Sequence, residues 1–189
     1  MKKFFVVVLV CFNIALGFAI AMGSSAKIQP IKNAVAKTQQ NQIVAPNTVN
    51  ASSATMKRIL STYGKDIKNA AQTYNVSSRA LTAIMYVESG GDPKAKGDAG
   101  EKGCMQILPS TAKMIGVKGD LFDCRFSIFA AAKYLSQLQK EPHLDRTYKV
   151  VAAYNAGSRG VPKLSDNDYI QTEYLAKIHQ AAQKIPEHW

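Results

Sequence analysis

Glu88 stands where the pattern around it calls for an apolar side chain. Leu81, Ile84 and Met85 recur at three- and four-residue spacing, and the next position on that stripe is a carboxylate. Burial against apolar neighbours disfavours the charged form and raises a glutamate's pKa, as a general acid working near neutrality requires. On position alone, the alternative is a glutamate at a helix end that reaches solvent as the chain turns at Gly90. His143, His179 and His188 lack the spacing that sets two imidazoles on one helical face, so no metal and no other cofactor is expected.

Positioning such a carboxylate falls to helices. Ile59, Leu60, Tyr63, Ile67, Ala70, Ala71 and Tyr74 repeat at three and four and predict a first amphipathic helix. Asn75-Val76-Ser77 breaks it and offers Ser77 as N-cap of a second helix, Ser78 to about Ser89, which Gly90-Gly91 and Pro93 terminate. Residues 97–103 read as a polar, glycine-containing loop. Further helices are predicted across 110–115, 128–139, 147–156 and 169–185. Period-two alternation is nowhere sustained, so the domain is read as mainly α.

The N-terminus carries a different signal. Lys2 and Lys3 precede a stretch, Phe4 to Met22, that is apolar apart from Asn13 and Gly17, and Ala19-Ile20-Ala21 has the small-x-small form that a signal peptidase reads. Residues 1–21 are therefore expected to be an export signal, cut after Ala21 or near Gly23, and the mature chain to act in the periplasm or cell envelope. An uncleaved anchor is the alternative, since the stretch is just long enough to cross a bilayer. Residues 22–55, rich in Ala, Ser, Asn, Gln and Thr and without an acidic residue, read as a flexible linker, and 56–189 as the folded domain.

Export reinterprets the cysteines. Loss of Cys11 with the signal leaves Cys104 and Cys124 in a compartment where disulfides persist, and one bridge is expected. The competing reading makes Cys104 a nucleophile served by His143. The 189 residues carry 24 Lys and Arg against 13 Asp and Glu, with every carboxylate after residue 65. The domain keeps 19 basic residues against those 13. These are spread along the chain without a basic-aromatic cluster, so nucleic acid is not an expected partner and an anionic polymer is.

Three segments add to Glu88-Ser89-Gly90: Gly103-Cys104-Met105-Gln106-Ile107-Leu108-Pro109-Ser110-Thr111-Ala112, the stretch from Leu121 to Leu135, and Ala153-Tyr154-Asn155-Ala156-Gly157. In this order they resemble the lytic transglycosylases with a goose-type-lysozyme-like catalytic domain, over roughly residues 60–180. The resemblance implies a lysozyme-like helical domain acting on peptidoglycan glycan strands, with Glu88 as the catalytic residue. Ser89, Met105, Gln106, Tyr154, Asn155 and Tyr174 are the implied substrate-binding residues. Gln106 can equally be a buried, internally satisfied amide, and Tyr154 plain core.

A glycosidase with paired carboxylates needs a second one about 5 Å away, or about 6.5–9.5 Å. Asp92, Asp98 and Glu101 are the candidates, and their distance from Glu88 is not legible in the sequence. The resemblance implies instead that Glu88 alone protonates the bond between N-acetylmuramic acid and N-acetylglucosamine, then takes the proton of the muramyl C6 hydroxyl as a 1,6-anhydro ring closes. A lysozyme-type hydrolase and a non-catalytic glycan-binding wall protein are the alternatives. The family's last motif usually has Glu-Thr a few residues before a Tyr-Val or Tyr-Leu pair. Here the run is Gln171-Thr172-Glu173-Tyr174-Leu175, so either Gln171 leaves an acidic contact missing or Glu173 supplies it at shifted spacing. A chain this small suits local opening of the wall for a secretion, conjugation or pilus apparatus.

Overall fold

The computed structural model describes residues 46–157 and 172–189, with side chains from residue 52 onward. The export segment 1–21, much of the 22–55 stretch and Gln171 lie outside the described residues. Among the described residues six helices are formed: α1 (Pro46–Tyr74), α2 (Ser78–Ser89), α3 (Pro109–Met114), α4 (Cys124–Leu138), α5 (Thr147–Ala156) and α6 (Glu173–Gln183). Among the described residues there is no regular strand. Two isolated bridges, Lys96 with Lys102 and Lys102 with Ile107, tie up the loop between α2 and α3.

Local chemistry sets most of the boundaries. Ser77 caps α2 by accepting from the Ala80 N–H, and Gly90 ends it in the left-handed conformation, φ 63°, returning its N–H to the Tyr86 carbonyl. Helix α4 starts at Cys124 rather than near Ile128, because Asp123 accepts from the N–H groups of Arg125 and Phe126 and so caps it four residues earlier. Helix α1 starts at Pro46, inside the stretch whose composition reads as linker. Its early part docks: Ser52 shares a hydrogen bond with the Tyr86 hydroxyl, and the Thr55 methyl lies against Gly90.

Helix α2 is the centre of the core, packed by α1, α4 and α6. Leu81, Ala83, Ile84 and Met85 are fully buried. Each large apolar side chain so buried contributes about 1.5–3 kcal/mol relative to exposure, so the three large ones together hold the helix firmly enough to carry an ill-solvated carboxylate at its end. The expected disulfide is formed between Cys104 and Cys124, Cα atoms 5.6 Å apart. It staples the 90–108 loop to the start of α4, and the thiol-nucleophile reading of Cys104 falls with it.

Candidate active site

Glu88 sits in the last turn of α2, and that turn is held from both sides. From α1, Arg58 donates to the carbonyls of Gly90 and Gly91, and the Tyr63 hydroxyl donates to Gly91. From below, the Ser89 hydroxyl donates to the Cys104 carbonyl at 2.7 Å and accepts from the N–H groups of Gly91 and Asp92. Ser89 therefore joins α2 to the loop, its hydroxyl already engaged within the protein.

The loop is folded to bring Gln106 beside Glu88. Gly103, at φ 72°, passes so close to the Leu121 carbonyl that no Cβ fits there. Gln106 itself adopts a left-handed conformation, φ 47°, uncommon for a residue with a side chain. Its backbone N–H and its side-chain Nε2 both donate to the Gly103 carbonyl, the latter at 2.8 Å, and its amide oxygen lies on the side of Gly97. Met105 turns its side chain wholly into the core. Its carbonyl accepts from the Tyr154 hydroxyl at 2.8 Å.

A cavity of about 70 Å³ is lined by Glu88, Glu101, Gln106, Thr111, Tyr154 and Asn155, with Ile107, Leu108 and Tyr134 completing its wall. Of the residues singled out in the sequence, Glu88, Gln106, Tyr154 and Asn155 thus converge, and Tyr174 reaches in from α6 to donate to Glu88 Oε1 at 2.8 Å. Ser89 and Met105 stand behind the wall. Tyr154 is 9% exposed and packs on Tyr134 with ring centroids 5.5 Å apart, so its ring lines the cavity while its hydroxyl secures the loop. Glu101, whose separation from Glu88 no local pattern encodes, proves to share the cavity. The Ala99 N–H donates to its Oε2 at 3.0 Å.

The electrostatics follow from this packing. Burial raises the Glu88 pKa, the Tyr174 hydrogen bond opposes that rise, and the Glu101 charge adds to it. Burial, joined by the Glu88 charge, pushes the Tyr174 phenol far above its ordinary range, so it stays a proton-bearing donor. Tyr154 is driven well up by burial first and by Glu88 second.

The two sites that tune Glu88 act in opposite directions, which makes a test. If turnover needs protonated Glu88, the alkaline limb of kcat/KM against pH follows its pKa. Glu101→Gln removes a like charge and is expected to move that limb to lower pH, whereas Tyr174→Phe removes a donor to the carboxylate and is expected to move it higher. Shifts of the same sign in both variants refute this account.

The Transglycosylase SLT domain family model matches residues 65–176. The chain belongs to this family. Its SLT domain is 41% identical over 97 residues to membrane-bound lytic murein transglycosylase F 1 of Alkalilimnicola ehrlichii, and 39% identical over 98 residues to membrane-bound lytic murein transglycosylase F of Saccharophagus degradans. Each match covers 48% of this chain, and the chain spans only 19% of either relative's length. Among solved structures it resembles an inactive glutamate-to-glutamine mutant of lytic transglycosylase Slt from Pseudomonas aeruginosa. That match has a TM-score of 0.53 and 25% identity, over 67% of this chain and 23% of the other.

The unusual Gln171-Thr172-Glu173-Tyr174 run of this SLT domain resolves in part. Thr172 caps α6 by accepting from the Leu175 N–H, and Glu173 is exposed and pairs with Lys177 at 2.7 Å along its own helix. The contact with Glu88 is made by Tyr174.

Proposed function

We propose that this SLT domain is a peptidoglycan lytic transglycosylase, cleaving the β-1,4 bond between N-acetylmuramic acid and N-acetylglucosamine. The observation that carries the reading is Glu88: a carboxyl group whose pKa is raised by burial, opening on a cavity beside two amides and accepting a hydrogen bond from Tyr174. Protonated Glu88 gives its proton to the glycosidic oxygen as the C1–O bond breaks and positive charge builds on the muramyl ring. The resulting carboxylate is stabilised by the Tyr174 hydroxyl, and it then takes the proton of the muramyl C6 hydroxyl as that oxygen bonds to C1. The 1,6-anhydro ring closes and Glu88 returns to its starting state, with no water consumed. Gln106 and Asn155 supply amide groups to hold sugar hydroxyl or acetamido groups at the cavity. Export to the periplasm or cell envelope, and local wall opening for a secretion, conjugation or pilus apparatus, belong to the same reading.

One observation favours a second reading. Glu101 lines the cavity with Glu88, and a second carboxylate is what a lysozyme-type hydrolase uses to activate water or stabilise the cation. Mass spectrometry of digested sacculi separates the two. Anhydromuramyl ends are expected from the transglycosylase, and reducing ends, heavier by one water, overturn it in favour of hydrolysis.

A further inference from the structure

One group in the cavity at Glu88 carries a charge that nothing around it balances. Glu101 is half-buried in the cavity lining, and its Oε2 accepts from the Ala99 N–H at 3.0 Å. That bond seats the carboxylate against Gly97, where an added Cβ would collide with Oε2 and stand 3.0 Å from the Gln106 amide oxygen. Two acceptors thus abut one bare glycine, and among the described residues no side chain donates to either. No cationic side chain lines the cavity. Among the described residues no ion pair reaches Glu101. Its neighbour Lys102 is drawn instead to the Phe122 ring, with its ammonium 5.7 Å from the ring centre. A carboxylate in a narrow, partly desolvated space is costly without a countercharge, so the complementary occupant brings one.

We infer that Glu101 is a specificity residue for an amine-bearing sugar: a glucosamine of the glycan strand whose C2 nitrogen lacks its acetyl group and is an ammonium. The inference rests on the transglycosylase reading and names a substrate class that reading leaves open. An acetamido group offers the two acceptors one neutral N–H, whereas an ammonium offers three donors and the missing charge. Hydrogen bonds between ionised groups are also roughly twice as strong as neutral ones. Size agrees. A cavity of about 70 Å³ has the volume of roughly two waters, too little for a sugar ring and enough for its C2 substituent. In this role Glu101 touches the substrate and takes no part in the proton transfers, unlike the water-activating carboxylate of a hydrolase.

The test compares kcat/KM for release of anhydro ends from N-acetylated glycan strands and from strands partly de-N-acetylated by a deacetylase, below neutral pH, where the amine is charged. It uses the wild-type chain, Glu101→Gln, and a control of equal charge, Asp98→Asn, at an exposed carboxylate of the same loop outside the cavity lining. Ionisation of the free enzyme, that of Glu88 included, enters both kcat/KM values alike and cancels in their ratio. The wild type is expected to cleave the amine-bearing strands at least as fast as the acetylated ones. Glu101→Gln should lower that ratio by about five- to tenfold, while the control keeps it. A wild-type ratio well below one, an unchanged ratio in Glu101→Gln, or an equal loss in Asp98→Asn each overturn the inference. If Glu101→Gln is inactive on both substrates, dissociation constants for a glucosamine oligomer and its N-acetylated counterpart of equal length replace the rates, with the same expected and overturning results. Failure of the wild type to release anhydro ends from acetylated strands removes the transglycosylase reading itself, and the binding ratios still decide the role of Glu101.

Discussion

Replacing Glu88 by glutamine is expected to reduce anhydromuropeptide release from purified peptidoglycan by about 10²–10⁴-fold or more, the range over which a positioned general acid acts. The amide is nearly isosteric and its oxygen can still accept from Tyr174, but it cannot give up a proton and recover one. The same substitution makes a prediction about stability whose sign is unusual for a carboxylate. Burial raises the folded-state pKa of Glu88 above its ordinary 4.5, so the folded state holds the proton more tightly than the unfolded chain. Its contribution to stability is therefore most favourable below 4.5 and is lost as pH rises through the folded value. Above that window the ionised side chain is a burden that the amide lacks. The variant should match or exceed the wild-type Tm at neutral pH, and the gap should close in acid. Wild-type turnover by the variant would remove the mechanism, and a lowered Tm at neutral pH would remove the account of burial.

Loss of the Cys104–Cys124 bridge is expected to cost about 2–5 kcal/mol when both cysteines are replaced by serine. The bond closes a loop of 20 residues in sequence, for which restriction of the unfolded chain accounts for roughly 3 kcal/mol. The serines also leave hydroxyl groups where Cys104 is fully buried. Activity at low temperature should survive. The Ser89 and Tyr154 hydroxyls still hold the carbonyls of Cys104 and Met105, so the loop keeps its course while the protein stays folded. Denaturant titrations check the cost. A pair of serines as stable as the native pair, or two alkylatable thiols in protein from an oxidising compartment, contradicts the argument.

Where sequence reasoning succeeded, the deciding interactions were local. The limits of α2 follow from Ser77 and Gly90, and those of α5 from a short apolar run ending at Gly157, all within a few residues of the positions they govern. Glu88 was legible for the same reason, since a stripe of period 3.6 assigns it a face. Tyr174 came only through the family resemblance, because its partner lies 86 residues away in the chain. Resemblance alone could not tell which side chains turn into the cavity. Ser89 and Met105 share the motif blocks with Glu88 and Gln106, yet the Ser89 hydroxyl serves a long-range bond and the Met105 side chain the core. Tyr154 lines the cavity with its ring and gives its hydroxyl to the Met105 carbonyl. The start of α1 was hidden for a related reason: residues 46–55 have no apolar repeat, and Ser52 and Thr55 gain their order by docking on Tyr86 and Gly90. At α4 the signal was present and local, an aspartate at 123 before a helical run, and the apolar period beginning at Ile128 outweighed it.

The bracing of the turn after Glu88 has a consequence on the timescale of hydrogen exchange. Helix ends ordinarily fray, and their amides exchange long before those of the core. Here the Gly90 N–H is bound by the Tyr86 carbonyl, and those of Gly91 and Asp92 by the Ser89 hydroxyl. Arg58 clamps the adjoining carbonyls from α1. Gly91 is buried against Ile59 and Tyr63 of α1, so for its amide to meet solvent α1 must lift from α2, which exposes the core. Asp92, by contrast, is exposed and its amide is held only locally. The Gly91 amide is therefore expected to exchange with the slow amides at the middle of α2, and the turn that follows the glutamate opens only when much of the domain opens with it.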